Sequence, residues 1–170
     1  MALPQLKTDL TAARLDGVTL PDGAAWATAA RTDALARVHQ MGLPTKRDEY
    51  WKYTDPASLT QVDAPKAALF HNDEGALFDG VDRVRIVFVD GVFDAGASDD
   101  LVAGGVEIER LSEAMQRDIH WAKDVYGVLE ARGQTPVERP LAALNTALAT
   151  DGVVIRATGK AAKPINFIYL

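Results

Sequence analysis

An α+β fold is what this sequence predicts, on three observations. Apolar residues recur at steps of three and four through the first third of the chain. From Val84 that period gives way to a β-branched run, and helical spacing returns further on. The resulting order is helix, helix, strands, helices, strands. That is not a regular alternation of single strands with single helices, so an α+β arrangement is expected in place of a βαβ repeat.

Leu3, Leu6, Leu10 and Ala13 lie on one face of a first helix, which Gly17 and Pro21 break. Asp22 is a candidate N-cap for a second helix, because its carboxylate can accept from an otherwise unpaired backbone N–H. That helix carries Trp26, Ala30, Leu35, Val38 and Met41 along one stripe. Gly42 is its expected C-cap, and Pro44 forbids continuation. Thr45 and Asp48 have the spacing of a capping box, so a short helical turn is expected there.

The run Val84–Val89 suits a mostly buried strand, and Asp90-Gly91 suits a type I′ turn into Val92-Phe93. Gly104-Gly105 precede a short strand at Val106–Ile108. Ser112 is a candidate N-cap for a helix presenting Met115, Ile119, Ala122, Tyr126 and Leu129 on one face, ended by Gly133 and Pro136. Leu141, Leu144 and Leu148 mark a further helix, and Asp151-Gly152 turns the chain into a strand at Val153–Ile155. Pro164–Leu170 reads as an apolar strand with no gatekeeping charge after it. Residues 1–170 suit a single domain, mainly helical over 1–65, with strands and a helical segment at about 111–149 in the part spanning 80–170.

Composition sets the outer bounds. Acidic residues outnumber basic ones 24 to 18, and the basic ones are scattered among acids, which argues against a nucleic-acid partner. No apolar run approaches a membrane span, and residues 1–9 do not have the pattern of a signal peptide, so no membrane partner is expected and the cytosol is the default location. With no cysteine, the chain forms no disulfide and no thiolate-held cluster.

Two segments stand out. Gly42–Thr54 gathers Arg47, Asp48, Glu49, Trp51, Lys52 and Tyr53 into one short charged and aromatic stretch. It reads either as a structural anchor, with Trp51 and Tyr53 fastening the turn and Arg47 and Lys52 pairing with nearby carboxylates or carbonyls, or as a partner surface, since Trp, Tyr and Arg dominate binding hot spots. The second segment, Leu141–Ile155, contains Leu144, Asn145, Thr146, Asp151 and Gly152. With Val87–Phe93 between them, these blocks resemble, in order, the GLPTRKDExWKYT, FVDGxF and ALNTALAxDG segments of the SufB/SufD family of iron–sulfur cluster assembly scaffolds, the SufD branch above all. Tyr50 stands where that family often has a small residue.

The resemblance implies that the chain leads into the start of a right-handed parallel β-helix, cut off at the C-terminus, and is the N-terminal part of a longer scaffold protein. It implies SufB-like and SufC-like partner subunits, a role in assembly and partner contact without catalysis, and no cofactor of its own, the iron–sulfur cluster being handled by the full complex. The family's Cys and His positions lie on or after the β-helix, so no catalytic or metal residue carries over. Self-association through Ile165–Leu170 is a further expectation.

The common catalytic patterns are not met. Around Thr158-Gly159-Lys160, Val154 and Ala161 stand where a phosphate-binding loop needs glycine and a hydroxyl. His39, His71 and His120 are far apart and form no paired metal motif. A stand-alone small-molecule-binding or adaptor domain is the alternative reading, which predicts a concave apolar pocket. An enzyme using clustered acids or a dispersed histidine pair is the third, which predicts perturbed carboxyl or imidazole groups in a cleft.

Overall fold

The computed structural model describes residues 4–63 and 77–170. Expectations resting on Leu3 and His71 lie outside the described residues. The chain packs as two compact units, one from residues 1–68 with 118–149, the other from 69–117 with 150–170. The architecture is mixed α+β, with helices first and short strands in two small sheets after them.

The first unit is helical. Helix α1 spans Gln5–Leu15, α2 Ala25–Met41, α3 Ala57–Thr60, and 3-10 turns form at Glu49–Trp51 and Trp121–Asp124. Helix α4 (Leu111–Ala114) belongs to the second unit, and α5 (Val128–Arg132) and α6 (Pro140–Leu148) complete the first. Helix α2 packs on α6, with Ala27 and Ala34 of one and Ala143 and Ala147 of the other fully buried. Such small side chains allow two helices to approach closely. Val38, Met41, Leu43, Ala143 and Leu144 form the core, with Leu10 and Leu15 packed against it.

Leu10, Val38 and Met41 meet the core as expected, but the rest of each helical stripe is rotated from the positions expected. On α1, Leu6 and Ala13 are exposed, while Thr11 is buried beside half-buried Lys7 and Leu10. The Thr11 hydroxyl donates to the Lys7 carbonyl at 2.6 Å and accepts from the Leu43 N–H at 2.8 Å. A polar residue thus takes the central place on that face, because it satisfies the backbone of the segment that follows α2. On α2 the buried positions are Ala27, Arg31, Ala34, Val38 and Met41, and Trp26, Ala30 and Leu35 are only half-buried. The Arg31 guanidinium donates to the carbonyls of Pro21, Asp22 and Ala149 at 2.7, 3.0 and 2.8 Å. Asp22 therefore contributes its carbonyl, and Ala24 holds the N-cap position without a side-chain bond. Gly42 ends α2 as expected, at φ 67° with its N–H on the Val38 carbonyl at 2.8 Å.

The single helical face from Met115 to Leu129 does not form. The chain has α4 at Leu111–Ala114, the 3-10 turn at Trp121–Asp124 and then α5, and both Ile119 and Leu129 are exposed. His120 interrupts it: its backbone is extended, and Nδ1 accepts from the Ala122 N–H at 3.0 Å, capping the turn. Gly127, at φ 72°, makes the second break. Ser112 lies inside α4, whose N-cap position is Arg110.

In the second unit β1 (Val84–Val89) is the middle strand between β2 (Val92–Phe93), antiparallel, and β6 (Ile165–Tyr169), parallel with Val84 opposite Ile165. Asp90 and Gly91 both have positive φ, 47° and 78°, as a type I′ turn requires. The other sheet orders β3 (Val102–Ala103), β4 (Val106–Arg110) and β5 (Val153–Ala157), all antiparallel. Val84, Ile86 and Phe88 point into a core shared with Phe93, Ile108, Val153 and Ile165. Gly105, at φ 80°, lies so close to the Lys160 carbonyl that a Cβ there would fall 2.1 Å from its oxygen. The segment Pro164–Leu170 does form a strand, at the edge of its sheet among the described residues.

Candidate functional site

The segment Gly42–Thr54 divides into a buried half and an exposed half. Leu43 and Pro44 are fully buried, and Thr11 holds the Leu43 N–H. Asp48 then does the work expected of the acid in a capping box: its Oδ2 accepts from the Thr45 N–H at 2.8 Å. The same oxygen lies 3.2 Å from Lys7 Nζ, which also donates to the Met41 carbonyl at 3.3 Å. Asp48 thus ties the turn to α1 and, through Lys7, to the end of α2. The 3-10 turn closes with Trp51 N–H on the Asp48 carbonyl at 2.9 Å.

The other motif residues face water. Tyr53 is 92% exposed, so it does not anchor the turn as expected; its ring lies beneath Lys52 Nζ at 5.5 Å. Lys52 and Glu49 make a loose pair at 3.6 Å, both exposed. Arg47 is exposed and makes no ion pair among the described residues, contrary to the pairing expected of it. Trp51 is half-buried and meets the exposed Tyr50 edge to face, ring centres 6.1 Å apart.

Beside this turn lies a cleft of about 620 Å³. The motif contributes Asp48, Glu49, Tyr50 and Trp51 to its lining, and the stretch before α6 contributes Val137 and Glu138 between Pro136 and Pro140. No local feature of the sequence signals that second contribution, which comes with the long-range packing of α6 on α2. Arg31 was missed as well. The available hint was its place at the 4-3-4 spacing of Ala27, Ala34 and Val38, which puts a cation on an otherwise apolar stripe. Burial pushes the Tyr126 hydroxyl above its usual range despite nearby Arg31, and that hydroxyl donates to the Thr146 carbonyl at 2.5 Å.

The second motif is shared between the two units. Leu144 and Thr146 are buried on α6, while Asn145 is exposed and lends its carbonyl to the Ala149 N–H at 2.9 Å. Asp151 and Gly152 belong to the other unit. There the Asp151 carboxylate accepts from the Gly152 N–H at 2.8 Å, from the Ser112 N–H at 3.4 Å, and from Arg110 in a short ion pair. Burial alone would raise the Asp151 carboxyl, but those hydrogen bonds outweigh it and hold the group below its ordinary value. On the same unit, hydrogen bonds from the Arg85 side chain and N–H hold the half-buried Asp99 carboxyl at about 2.

Taken together, these features define an α+β protein whose distinctive segments provide a fastened turn with an exposed charged and aromatic surface, and a capped helix-to-strand passage. Comparison with known proteins gives this class its family. The family model described as the SufBD protein N-terminal region matches residues 22–165, so the chain belongs to the SufB/SufD family and represents its N-terminal region. It is similar to the iron–sulfur cluster assembly protein SufD of Escherichia coli strain K12, at 30% identity over 118 residues, covering 61% of this chain. The alignment takes in 28% of that relative's length. Among the described residues no helix is long and apolar enough to cross a membrane.

Proposed function

We propose that this chain is the N-terminal region of a SufD-like scaffold subunit, acting with SufB-like and SufC-like subunits in iron–sulfur cluster assembly in the cytosol. Its part is assembly and partner contact. It performs no catalysis of its own and carries no resident cofactor, the cluster being cargo of the full complex. The match over residues 22–165 is the observation that carries this reading. In the first motif Asp48 is the anchor, and Arg47, Glu49, Lys52 and Tyr53, with the partly covered Trp51, offer the contact surface. In the second, Leu144, Asn145, Thr146, Asp151 and Gly152 shape the passage into the strands.

The parallel pairing of β6 with β1 supports a further element of the reading, that this strand begins a right-handed parallel β-helix. An affinity-tagged copy of the protein encoded at the native locus, co-expressed with its SufB-like and SufC-like subunits, should retain both through size-exclusion chromatography. Elution without either subunit would sink the scaffold reading.

A further inference from the structure

We propose that the cleft beside the first motif receives a cationic side chain, an arginine or lysine flanked by apolar residues, from an extended segment of a partner protein. The inference rests on the reading of this segment as a contact surface and specifies the partner's chemistry. The cleft, at about 620 Å³, falls in the size range of small-ligand sites, so it has room for a side chain together with its flanking residues. Its charge selects the occupant. Lys7 is the cation in the lining, and Asp48 and the Met41 carbonyl already engage it. Glu138 is exposed and makes no ion pair among the described residues, and Glu49 shares its charge only with Lys52, in water. An acidic segment would bring like charge against both carboxylates. A purely apolar one would strip water from Glu138 without replacing its hydrogen bonds. A cation pairs with a carboxylate of the lining, Glu138 above all, and is attracted by aromatic rings, which Tyr50 and Trp51 supply there. Between the two cations, the flat guanidinium stacks on aromatic rings and pairs with a carboxylate through two parallel bonds, which favours arginine.

The test uses a short peptide with one arginine between leucine and proline residues, and its counterpart with glutamate in place of the arginine. Each is titrated into the isotopically labelled protein and followed by NMR. The arginine peptide should bind saturably, with the largest shifts at Glu49, Tyr50, Trp51 and Glu138, and the glutamate peptide at least about tenfold more weakly. Glu138→Lys and Tyr50→Ala, both at exposed side chains, should each weaken the arginine peptide by roughly three- to tenfold. Equal binding of the two peptides, unaltered binding by both variants, or shifts centred away from these residues would overturn the proposal. So would arginine amide binding as tightly as the peptide, since the occupant would then be a small cation. Loss of the SufB-like and SufC-like subunits with peptide binding intact would break the scaffold reading alone; the reverse result would break this one alone.

Discussion

Asp48 and Asp151 sit in the two distinctive segments of the chain and perform the same local task in different settings. Each carboxylate accepts a nearby backbone N–H, Thr45 for one and Gly152 for the other, and each faces a cation, Lys7 or Arg110. Around Asp151 the neighbours are then enclosed: Leu111 packs beside Gly152, and the carboxylate reaches the Ser112 N–H at the start of α4. Around Asp48 they are not. Arg47, Glu49, Lys52 and Tyr53 all project into water within one turn of the chain. A capped acid therefore does not by itself mark a functional residue. In one segment it closes a joint between backbone elements, and in the other it fixes a small platform whose side chains lie in water.

Substitutions can break this comparison, and the largest effect belongs to neither carboxylate but to Arg31, the cation buried within the first unit. Arg31→Ala removes the donor from three carbonyls at a nearly closed site and should cost about 3 kcal/mol or more, read by urea unfolding. Asp151→Ala should cost about 2 kcal/mol, since it frees a partly buried Arg110 and two backbone N–H groups. Thr11→Val keeps the shape of the side chain but leaves the buried Leu43 N–H without its acceptor, for about 1–2 kcal/mol. Arg47→Ala and Tyr53→Ala should lie within about 0.5 kcal/mol of the parent. If either cost as much as Thr11→Val, the exposed half of the first motif would be part of the fold after all.

Acid sharpens the same contrast. Asp151 and Asp99 both have carboxyls held below the ordinary value in the folded protein, so the unfolded chain binds protons first as pH falls. Their contribution is fully present above the unfolded aspartate value of about 3.9 and is lost as pH drops through the folded values. The melting temperature should therefore fall as pH goes from about 4 toward 2. Asp151→Asn should flatten part of that fall.

How much of this was legible in the sequence depends on how local each cause is. The Asp90-Gly91 hairpin was, because positive φ at both positions is a property of two adjacent residues. The stop at Gly42 was legible for the same reason. The helix drawn through Met115, Ile119, Ala122, Tyr126 and Leu129 was not, although its spacing was regular. Periodicity records which residues are apolar, and it carries no trace of the His120 side chain capturing the Ala122 N–H. The stripes of α1 and α2 were misplaced because Thr11 and Arg31 are buried through bonds to Leu43 and Ala149, which lie 32 and 118 residues away in sequence. The first motif was recognised as a segment, but its division was hidden. Tyr53 and Asp48 look equally suited to anchoring until Lys7 is brought up by α1. The cleft was beyond reach because Pro136, Val137, Glu138 and Pro140 of its lining lie far along the chain from the first motif.

The most direct test of the central claim is hydrogen exchange across residues 46–53, compared between the free protein and the protein mixed with its SufB-like and SufC-like subunits. Slower exchange is expected there on mixing, confined to the exposed half of the motif, while the Leu43 amide, already bonded to Thr11, exchanges slowly in both. Unchanged exchange over 46–53 in a complex shown to have formed would contradict it, leaving the motif a structural turn and placing partner contact elsewhere.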